Sequence, residues 1–213
     1  MINKDKFLLY AVTDRSWLDN NSPLSEAVYS ALLGGVTLLQ MREKEMSTDE
    51  IVKSALELKP ICREFNVPLI INDNIEACIK SGADGVHLGQ GDTPLYEARK
   101  ILGNDKIIGI TAKTVEQALA AQRDGADYIG SGAIFGTFTK NDAKKMDMDT
   151  LKSITSAVSI PVVAIGVIKQ SNILQLKDSG ISGAAVVSGI FAQPDICAAV
   201  KDLKKKIIDI VQQ

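Results

Sequence analysis

The sequence has few of the residues that build disulfide frameworks or zinc sites, and little net charge. It contains one histidine and three cysteines, and Cys62, Cys78 and Cys197 lie far apart in segments with a helical pattern. An odd number of cysteines without paired spacing argues against both kinds of site, so we predict reduced packing residues. The formal net charge of -2 gives no general attraction to nucleic acid or to an anionic membrane.

Long apolar runs and linker-like stretches are absent as well. No apolar run approaches the roughly 18 residues of a transmembrane helix, and residues 1–6 lead into a strand-like run rather than a signal peptide. We therefore expect a cytoplasmic protein without a membrane partner. No stretch rich in proline, glycine or serine divides the 213 residues, of which 46% are hydrophobic, so we predict one domain over residues 1–213.

Short apolar runs alternate with amphipathic stretches along the whole chain. Eight short runs predict strands, at 7–13, 37–41, 69–71, 85–88, 106–111, 128–133, 162–166 and 184–188. Helical periodicity is found, for example, at 47–65, 115–124, 149–158, 172–179 and 196–211. This alternation predicts parallel strands joined by right-handed crossovers.

A glycine separates a helical stretch from the next strand at regular intervals. The pattern occurs at 81–85, 124–128 and 179–183, with a looser copy at 34–36. Glycine just past a helix is the usual left-handed terminator. The regular spacing predicts an α/β fold of the (β/α)8 TIM barrel type, and an open doubly wound sheet is the alternative.

In such a barrel the chemistry belongs at the carboxyl ends of the strands, where this chain carries polar residues after every strand but the seventh. Asp73 and Asp92 follow neighbouring strands, and paired carboxylates suit Mg²⁺ with room left for water and phosphate oxygens. Helix capping is the alternative for each of these aspartates. Arg42 and Lys44 follow the second strand at a spacing that sends both side chains to one face of an extended segment. The alternative for this segment is a solvated loop.

Two further strand ends have the composition of anion sites. After the sixth strand, Thr137 and Thr139 can donate hydroxyl protons and Lys140 brings a positive charge. Gly166 and the segment 187–189 lie where barrel enzymes often bind a phosphate through backbone amides. Lys140 would complement a diphosphate held with Mg²⁺, whereas the two threonines would face the second group, which would take a monophosphate.

Taken together, these segments resemble the thiamine phosphate synthase family. The resemblance runs in order from residue 7 to residue 191 and is carried by YAVTD at 10–14, QMREK at 40–44, IND at 71–73, GADGVHLGQ at 82–90 with Asp92, TFTK at 137–140 and PVVAIG at 161–166. It implies a transferase that joins 4-amino-2-methyl-5-hydroxymethylpyrimidine diphosphate to 4-methyl-5-(2-hydroxyethyl)thiazole phosphate and releases pyrophosphate. These substrates are small molecules, Mg²⁺ is the implied cofactor, and the sequence is compatible with a homo-oligomer.

The resemblance also implies a role for individual residues. The pyrimidine diphosphate would be held by Gln40, Arg42, Lys44, Asn72, Thr111 and Lys140. The thiazole phosphate would be held by Thr137, Thr139, Gly166, Val187 and Ser188. Magnesium would be held by Asp73 and Asp92. Arg42, Lys44 and Lys140 would act in catalysis by stabilising charge on the departing pyrophosphate, so no general base is predicted. The loop 136–147 is a candidate lid.

The chain departs from the family pattern at three positions. Val167 replaces the second glycine of the usual Ile-Gly-Gly-Ile, Thr111 replaces serine, and Lys113 stands where histidine is common. The single histidine, His87, lies within the fourth strand and is predicted to be structural. Two other functions stay open at this point, namely a thiazole tautomerase-like barrel and a non-catalytic module that binds thiamine phosphate.

Overall fold

A computed structural model of the protein describes residues 3–18, 23–136 and 146–211. Eight parallel strands close into a barrel in chain order. The strands are β1 Leu9–Val12, β2 Leu38–Met41, β3 Leu69–Asn72, β4 Gly85–Leu88, β5 Ile107–Thr111, β6 Tyr128–Gly132, β7 Val162–Ile165 and β8 Gly183–Val186. The α-helices are α1 Leu24–Gly34, α2 Thr48–Glu64, α3 Ile75–Ser81, α4 Leu95–Leu102, α5 Val115–Arg123, α6 Met148–Ala157, α7 Ser188–Phe191 and α8 Ile196–Val211. The predicted (β/α)8 barrel is confirmed, and the open sheet is excluded because β1 pairs with β8.

One predicted helix is wrong in its type and length. The stretch 172–179 forms only a short 3-10 helix, Ile173–Leu176. Directly after it, Asp178 and Gly180 have positive φ angles of 59° and 73°. A right-handed helix cannot continue through left-handed backbone, so the apolar periodicity of this stretch reflects packing against the barrel. No helix in the described ranges is long and apolar enough to cross a membrane.

The barrel separates two apolar cores. The larger core lies between the outer strand surfaces and the helices, while the smaller one fills the barrel and includes Phe7, Tyr10 and Tyr128. The Tyr128 ring lies 4.9 Å from that of Phe7 and 5.7 Å from that of Tyr10. Because side chains alternate along a strand, one set packs under the helices and the other fills the interior.

The predicted helix terminators have the expected backbone conformation. Gly82 ends α3 with a φ of 64°, and its amide donates to the carbonyl oxygen of Ile79. Gly125, after α5, has a φ of 94°. A side chain is unfavourable in this left-handed region, which explains why glycine recurs where the chain leaves a helix for a strand.

Arg99 ties together the loops on the opposite, amino-terminal face of the barrel. Its guanidinium donates to the carbonyl oxygens of Gly103, Lys106 and Gly125 at 2.7–3.2 Å and to Asp127 Oδ2 at 2.6 Å. The same Asp127 oxygen accepts from an amide of β5 at 2.8 Å. One side chain therefore connects α4 with the entrances to β5 and β6.

We expect Arg99→Ala to lower the free energy of unfolding by about 2–3 kcal/mol, because a half-buried carboxylate and several carbonyl groups lose their donor together. The control is Arg123→Ala, since Arg123 is exposed and pairs with the adjacent Asp124 at 2.8 Å; it should leave the free energy of unfolding nearly unchanged, because solvent screens an exposed ion pair. Urea unfolding followed by circular dichroism measures both changes. Equal effects of the two substitutions would contradict the assigned role of Arg99.

Two of the three cysteines have the packing role predicted for them. Cys62 and Cys78 are buried, whereas Cys197 is partly accessible. Burial raises the pKa of the Cys62 thiol to about 12 and that of Cys78 to about 11. Since the thiolate is the reactive form, both thiols should be inert in the folded protein.

We expect a thiol reagent such as dithionitrobenzoate to label one cysteine, Cys197, within minutes at pH 8 in the native protein. All three cysteines should react in denaturant. The absorbance of the released thiolate counts the labelled groups, and Cys197→Ser provides the control that should abolish the native signal. Rapid labelling of two or three native thiols would contradict the packing assignment.

Candidate active site

A cavity of about 130 Å³ lies at the carboxyl ends of the barrel strands. Its walls include eight residues that the sequence analysis assigned to substrate or metal binding, and these are Gln40, Arg42, Asn72, Asp73, Thr111, Gly166, Val187 and Ser188. They come from five different strand ends, spread over most of the chain. The closed barrel brings the predicted diphosphate half and the predicted monophosphate half into one space.

Other predicted site residues are placed differently. Lys44 is exposed in a bend, and within the described residues it does not line the cavity. Asp92 is also exposed and outside the lining, although its hydrogen-bond partner Gly89 belongs to it. Thr137, Thr139 and Lys140 lie outside the described residues, as does most of the candidate lid.

The segment that carries Arg42 is held from both sides. The Arg42 amide donates to Oγ1 of the fully buried Thr13 at 3.0 Å. Arg15 donates through Nε to Glu43 Oε1 at 2.8 Å, and the Glu43 side chain is only 7% exposed. Burial raises the pKa of Glu43, against the opposing effect of Arg15. Sequence reasoning missed this ion pair because its members are far apart in the chain, so no local spacing signals it.

The two aspartates do not cap the helices that follow them. The residue that caps α3 is Asn74, whose side chain accepts from the Ala77 amide at 2.8 Å. Helix α4 starts after Pro94 without a side-chain cap. Asp92 Oδ2 instead accepts from the Gly89 amide at 2.6 Å, which closes the turn after β4. The capping alternative from the sequence analysis is therefore wrong for both residues.

The backbone of Asp73 and the side chain of Asn72 together orient the Asp73 carboxylate. It has a positive φ of 60°, and its Oδ2 accepts from Asn72 Nδ2 at 2.6 Å. Its amide donates to the carbonyl oxygen of His87 at 2.9 Å, which continues the ladder between β3 and β4. An aspartate that tolerates left-handed backbone can thus leave the strand abruptly and still line the cavity.

Beside Gly166, which lines the cavity, the segments after β6 and β7 pack backbone against backbone. Gly166 has a φ of 119°, and a side-chain carbon there would come within 2.6 Å of Ala133 Cα and of the Ile134 amide nitrogen. Helix α7 begins at Ser188, immediately after the β8 segment, so its first turn faces the carboxyl end of the barrel. These features suit an anion held by backbone groups.

Val167 occupies a strained conformation beside this site. Its φ of 44° is in the left-handed region, which is unfavourable for a β-branched residue. Its carbonyl oxygen accepts from Asn172 Nδ2 at 2.9 Å, and the residue lines the cavity. The departure from the family glycine, noted in the sequence, therefore adds a side chain to the wall while keeping the backbone shape that glycine would adopt.

A row of hydrogen-bonded side chains crosses the barrel beneath the cavity. Gln40 Nε2 bonds to Tyr10 at 2.5 Å, the Tyr10 and Tyr128 hydroxyls are 2.7 Å apart, and Tyr128 bonds to His87 Nδ1 at 2.9 Å. His87 Nε2 then reaches Thr111 Oγ1 at 3.1 Å. Burial raises the pKa of both tyrosines, so their hydroxyls stay protonated. We call these five residues the polar row.

The polar row adds to what the sequence predicted for His87 and gives a place to two tyrosines. His87 has hydrogen bonds at both ring nitrogens, in line with its predicted structural role, but its ring also lines the cavity. Tyr10 and Tyr128 were not assigned a role from the sequence. Their inward position follows from strand alternation in β1 and β6, but alternation does not show which inward hydroxyls meet across a barrel.

Comparison with known proteins assigns the chain to a family. Residues 9–190 match a family model described as thiamine monophosphate synthase. The thiamine-phosphate synthase of Ruminiclostridium cellulolyticum is 50% identical over 203 residues, which cover 95% of this chain and 96% of that protein. The thiamine-phosphate synthase of Clostridium acetobutylicum is 46% identical over 207 residues, covering 97% and 96%.

A solved structure has the same fold over nearly the same length. It is the thiamine phosphate pyrophosphorylase from Pyrococcus furiosus, with a TM-score of 0.90, 34% identity and 98% coverage of both chains. The family resemblance in the sequence motifs is thereby confirmed by both sequence and structure. The chain belongs to the thiamine monophosphate synthase family and is a transferase of thiamine biosynthesis.

Proposed function

We propose that this protein condenses 4-amino-2-methyl-5-hydroxymethylpyrimidine diphosphate with 4-methyl-5-(2-hydroxyethyl)thiazole phosphate, with Mg²⁺ bound, to give thiamine phosphate and pyrophosphate. The observation that carries this proposal is the shared cavity. Residues assigned to the diphosphate substrate, such as Arg42 and Asn72, line the same space as Gly166 and Ser188, which are assigned to the thiazole phosphate. One pocket with an anion site on each side suits a reaction between two phosphorylated molecules.

The bond changes need little from acid–base groups. The carbon–oxygen bond between the pyrimidine methylene and the diphosphate breaks, and its electron pair leaves with pyrophosphate. The thiazole nitrogen then gives its lone pair to the methylene carbon and forms the new carbon–nitrogen bond. The aminopyrimidine can spread the positive charge of the intermediate cation, so no general base is required. The protein's main contribution is to stabilise the negative charge that grows on the leaving group.

Arg42 is the cation that we assign to that purpose; it lines the cavity, as Lys113 also does, and its backbone is anchored at Thr13. Lys44 and Lys140 would add positive charge; Lys44 would have to turn from its exposed position, and Lys140 lies outside the described residues. An arginine beside a diphosphate can form two parallel hydrogen bonds and so fixes its orientation as well as its charge.

Asp73 and Asp92 fit a Mg²⁺ ion by the chemistry of their donor atoms. They follow neighbouring strands, neither is used as a helix cap, and two carboxylates with substrate phosphate oxygens are a usual donor set for Mg²⁺. Among the described residues no cluster of three or more acidic, histidine or cysteine side chains forms a more complete metal site. When bound, the ion would supply positive charge to the leaving pyrophosphate.

The remaining walls protect the intermediate cation from water. Apolar side chains of Val12, Val163, Ile165 and Ile168 line the cavity, and Trp17 contributes its ring while remaining 42% exposed. An apolar surround slows attack by water on a reactive carbon and keeps the thiazole nitrogen as the competing nucleophile. The same walls hold the two reacting atoms in line.

The deciding experiment mixes the purified protein with both substrates and Mg²⁺ and follows pyrophosphate and thiamine phosphate together. We expect the two products in equal amounts, and none when either substrate is omitted or when EDTA is added. Tight binding of the thiazole phosphate without any product would contradict the transferase and favour a tautomerase or a binding module.

A further inference from the structure

The polar row joins two opposite parts of the cavity through the barrel interior. It begins at Gln40 on β2, crosses through Tyr10 and Tyr128, and ends at His87 and Thr111 on β4 and β5. Tyr128 is fully buried and does not line the cavity, so its hydroxyl meets only other members of the row among the described hydrogen bonds. A buried row of this kind has a direction, because each hydroxyl has a single proton to donate.

The direction follows from the residue at its start. The Gln40 amide nitrogen can only donate, so the Tyr10 oxygen accepts, and the Tyr10 proton is then available to donate to the Tyr128 hydroxyl 2.7 Å away. Tyr128 accepts that proton and donates its own to His87 Nδ1. The imidazole proton must then be on Nε2, which donates to Thr111 Oγ1.

We propose that the polar row holds His87 in its Nε2–H tautomer and thereby makes the Thr111 hydroxyl a hydrogen-bond donor toward the cavity, with Tyr10 and Tyr128 as positioning residues. Since Thr111 Oγ1 already accepts from His87, its own proton is left to point to an acceptor on the ligand. This consequence rests on the proposed function, in which the ligand is an aminopyrimidine whose ring nitrogens are acceptors. A ring with N–H at that position would be rejected.

Close packing fixes the positions of the Tyr128 and His87 rings in the polar row. A side-chain carbon at Gly109 would lie 2.1 Å from Tyr128 Cζ, and one at Gly130 would lie 2.9 Å from His87 Cε1. Both rings therefore occupy space that only glycine leaves open on β5 and β6. The rings cannot shift far without losing the hydrogen bonds, so the row is held in one geometry.

The test uses the fact that the chain has one histidine. With histidine labelled by ¹⁵N, nuclear magnetic resonance of the ligand-free protein reads the proton on each ring nitrogen without overlap. We expect a protonated Nε2 and an unprotonated Nδ1 in the native protein. Tyr128→Phe removes the hydroxyl that donates to Nδ1, and we expect both tautomers to be populated in that variant. Tyr96→Phe, at an exposed position bonded to Glu97, is the control and should change nothing.

Kinetics provide a second readout with Tyr128→Phe, because Tyr128 cannot touch substrate. We expect the KM for the pyrimidine diphosphate to rise about fivefold, the equivalent of one lost hydrogen bond, while the KM for the thiazole phosphate stays constant. If Tyr128→Phe does not fold, the spectrum of the native protein by itself still tests the direction of the row.

Two resonance results would overturn the proposal. One is an Nδ1–H tautomer in the native protein, which means that the row runs the other way, and the other is an unchanged tautomer in Tyr128→Phe. An altered tautomer with both KM values unchanged would refute the donor role of Thr111. The resonance result needs no substrate, so a failure of the proposed reaction would leave it interpretable, and the two proposals can fail separately.

Discussion

Asp92→Ala is expected to reduce Mg²⁺-dependent formation of thiamine phosphate about 100-fold or more while the barrel stays folded. The reason is that one of the two carboxylates proposed to hold Mg²⁺ for the leaving pyrophosphate is removed, and losses of this size are typical when a group that stabilises transition-state charge is deleted. The assay measures turnover as a function of Mg²⁺ concentration, and circular dichroism checks the fold. The apparent affinity for Mg²⁺ should fall together with turnover.

The structure supplies a sharper control for this result. Asp92 Oδ2 accepts from the Gly89 amide, so alanine removes both a charge and a turn-closing hydrogen bond. Asp92→Asn keeps an oxygen that can accept from Gly89 but removes the charge. We expect Asp92→Asn to be nearly as inactive as Asp92→Ala. If the asparagine variant has full turnover while alanine does not, Asp92 acts by holding the turn after β4, and the metal assignment is wrong.

Gly109→Ala is expected to lower the free energy of unfolding by about 3 kcal/mol, at the upper end of the usual cost of overpacking. The new methyl group would lie 2.1 Å from Tyr128 Cζ, and Tyr128 is itself packed against Phe7 and Tyr10 inside the barrel. The ring has no open space to move into, so the strand or the ring must be displaced.

Gly91→Ala is the matched control, because a side-chain carbon there meets nothing within 4 Å. It should change stability by less than about 0.5 kcal/mol. Urea unfolding measures the stability of both variants. Comparing the slopes of unfolding free energy against urea concentration separates a loss of stability from a change in compactness. Equal stability of the two variants would show that the barrel interior can accommodate the methyl group and that the polar row is loosely packed.

Local sequence patterns were sufficient to predict the fold and the order of its elements. Apolar runs of strand length, amphipathic stretches and left-handed glycines such as Gly82 each report on a short segment, and parallel pairing follows from their alternation. The stretch 172–179 shows the limit of this reasoning. Its apolar periodicity is helical, but the backbone becomes left-handed at Asp178. The sequence does not distinguish an aspartate with a positive φ from any other polar residue.

The sequence by itself predicted eight side chains that the structure brings to one cavity, because strand ends in a parallel barrel must meet on one face and the family motifs lie at those ends; Lys44 and Asp92, predicted in the same way, do not line it. Tertiary structure alone decided how they are supported. Arg15 anchors the segment beside Arg42 through Glu43, and Tyr10 meets Tyr128 across the barrel interior. These partners come from strands and loops far apart in the chain. These contacts depend on barrel closure, on which inward side chains lie in the same layer, and on the space that glycines leave open. Local periodicity in the sequence encodes none of these three features.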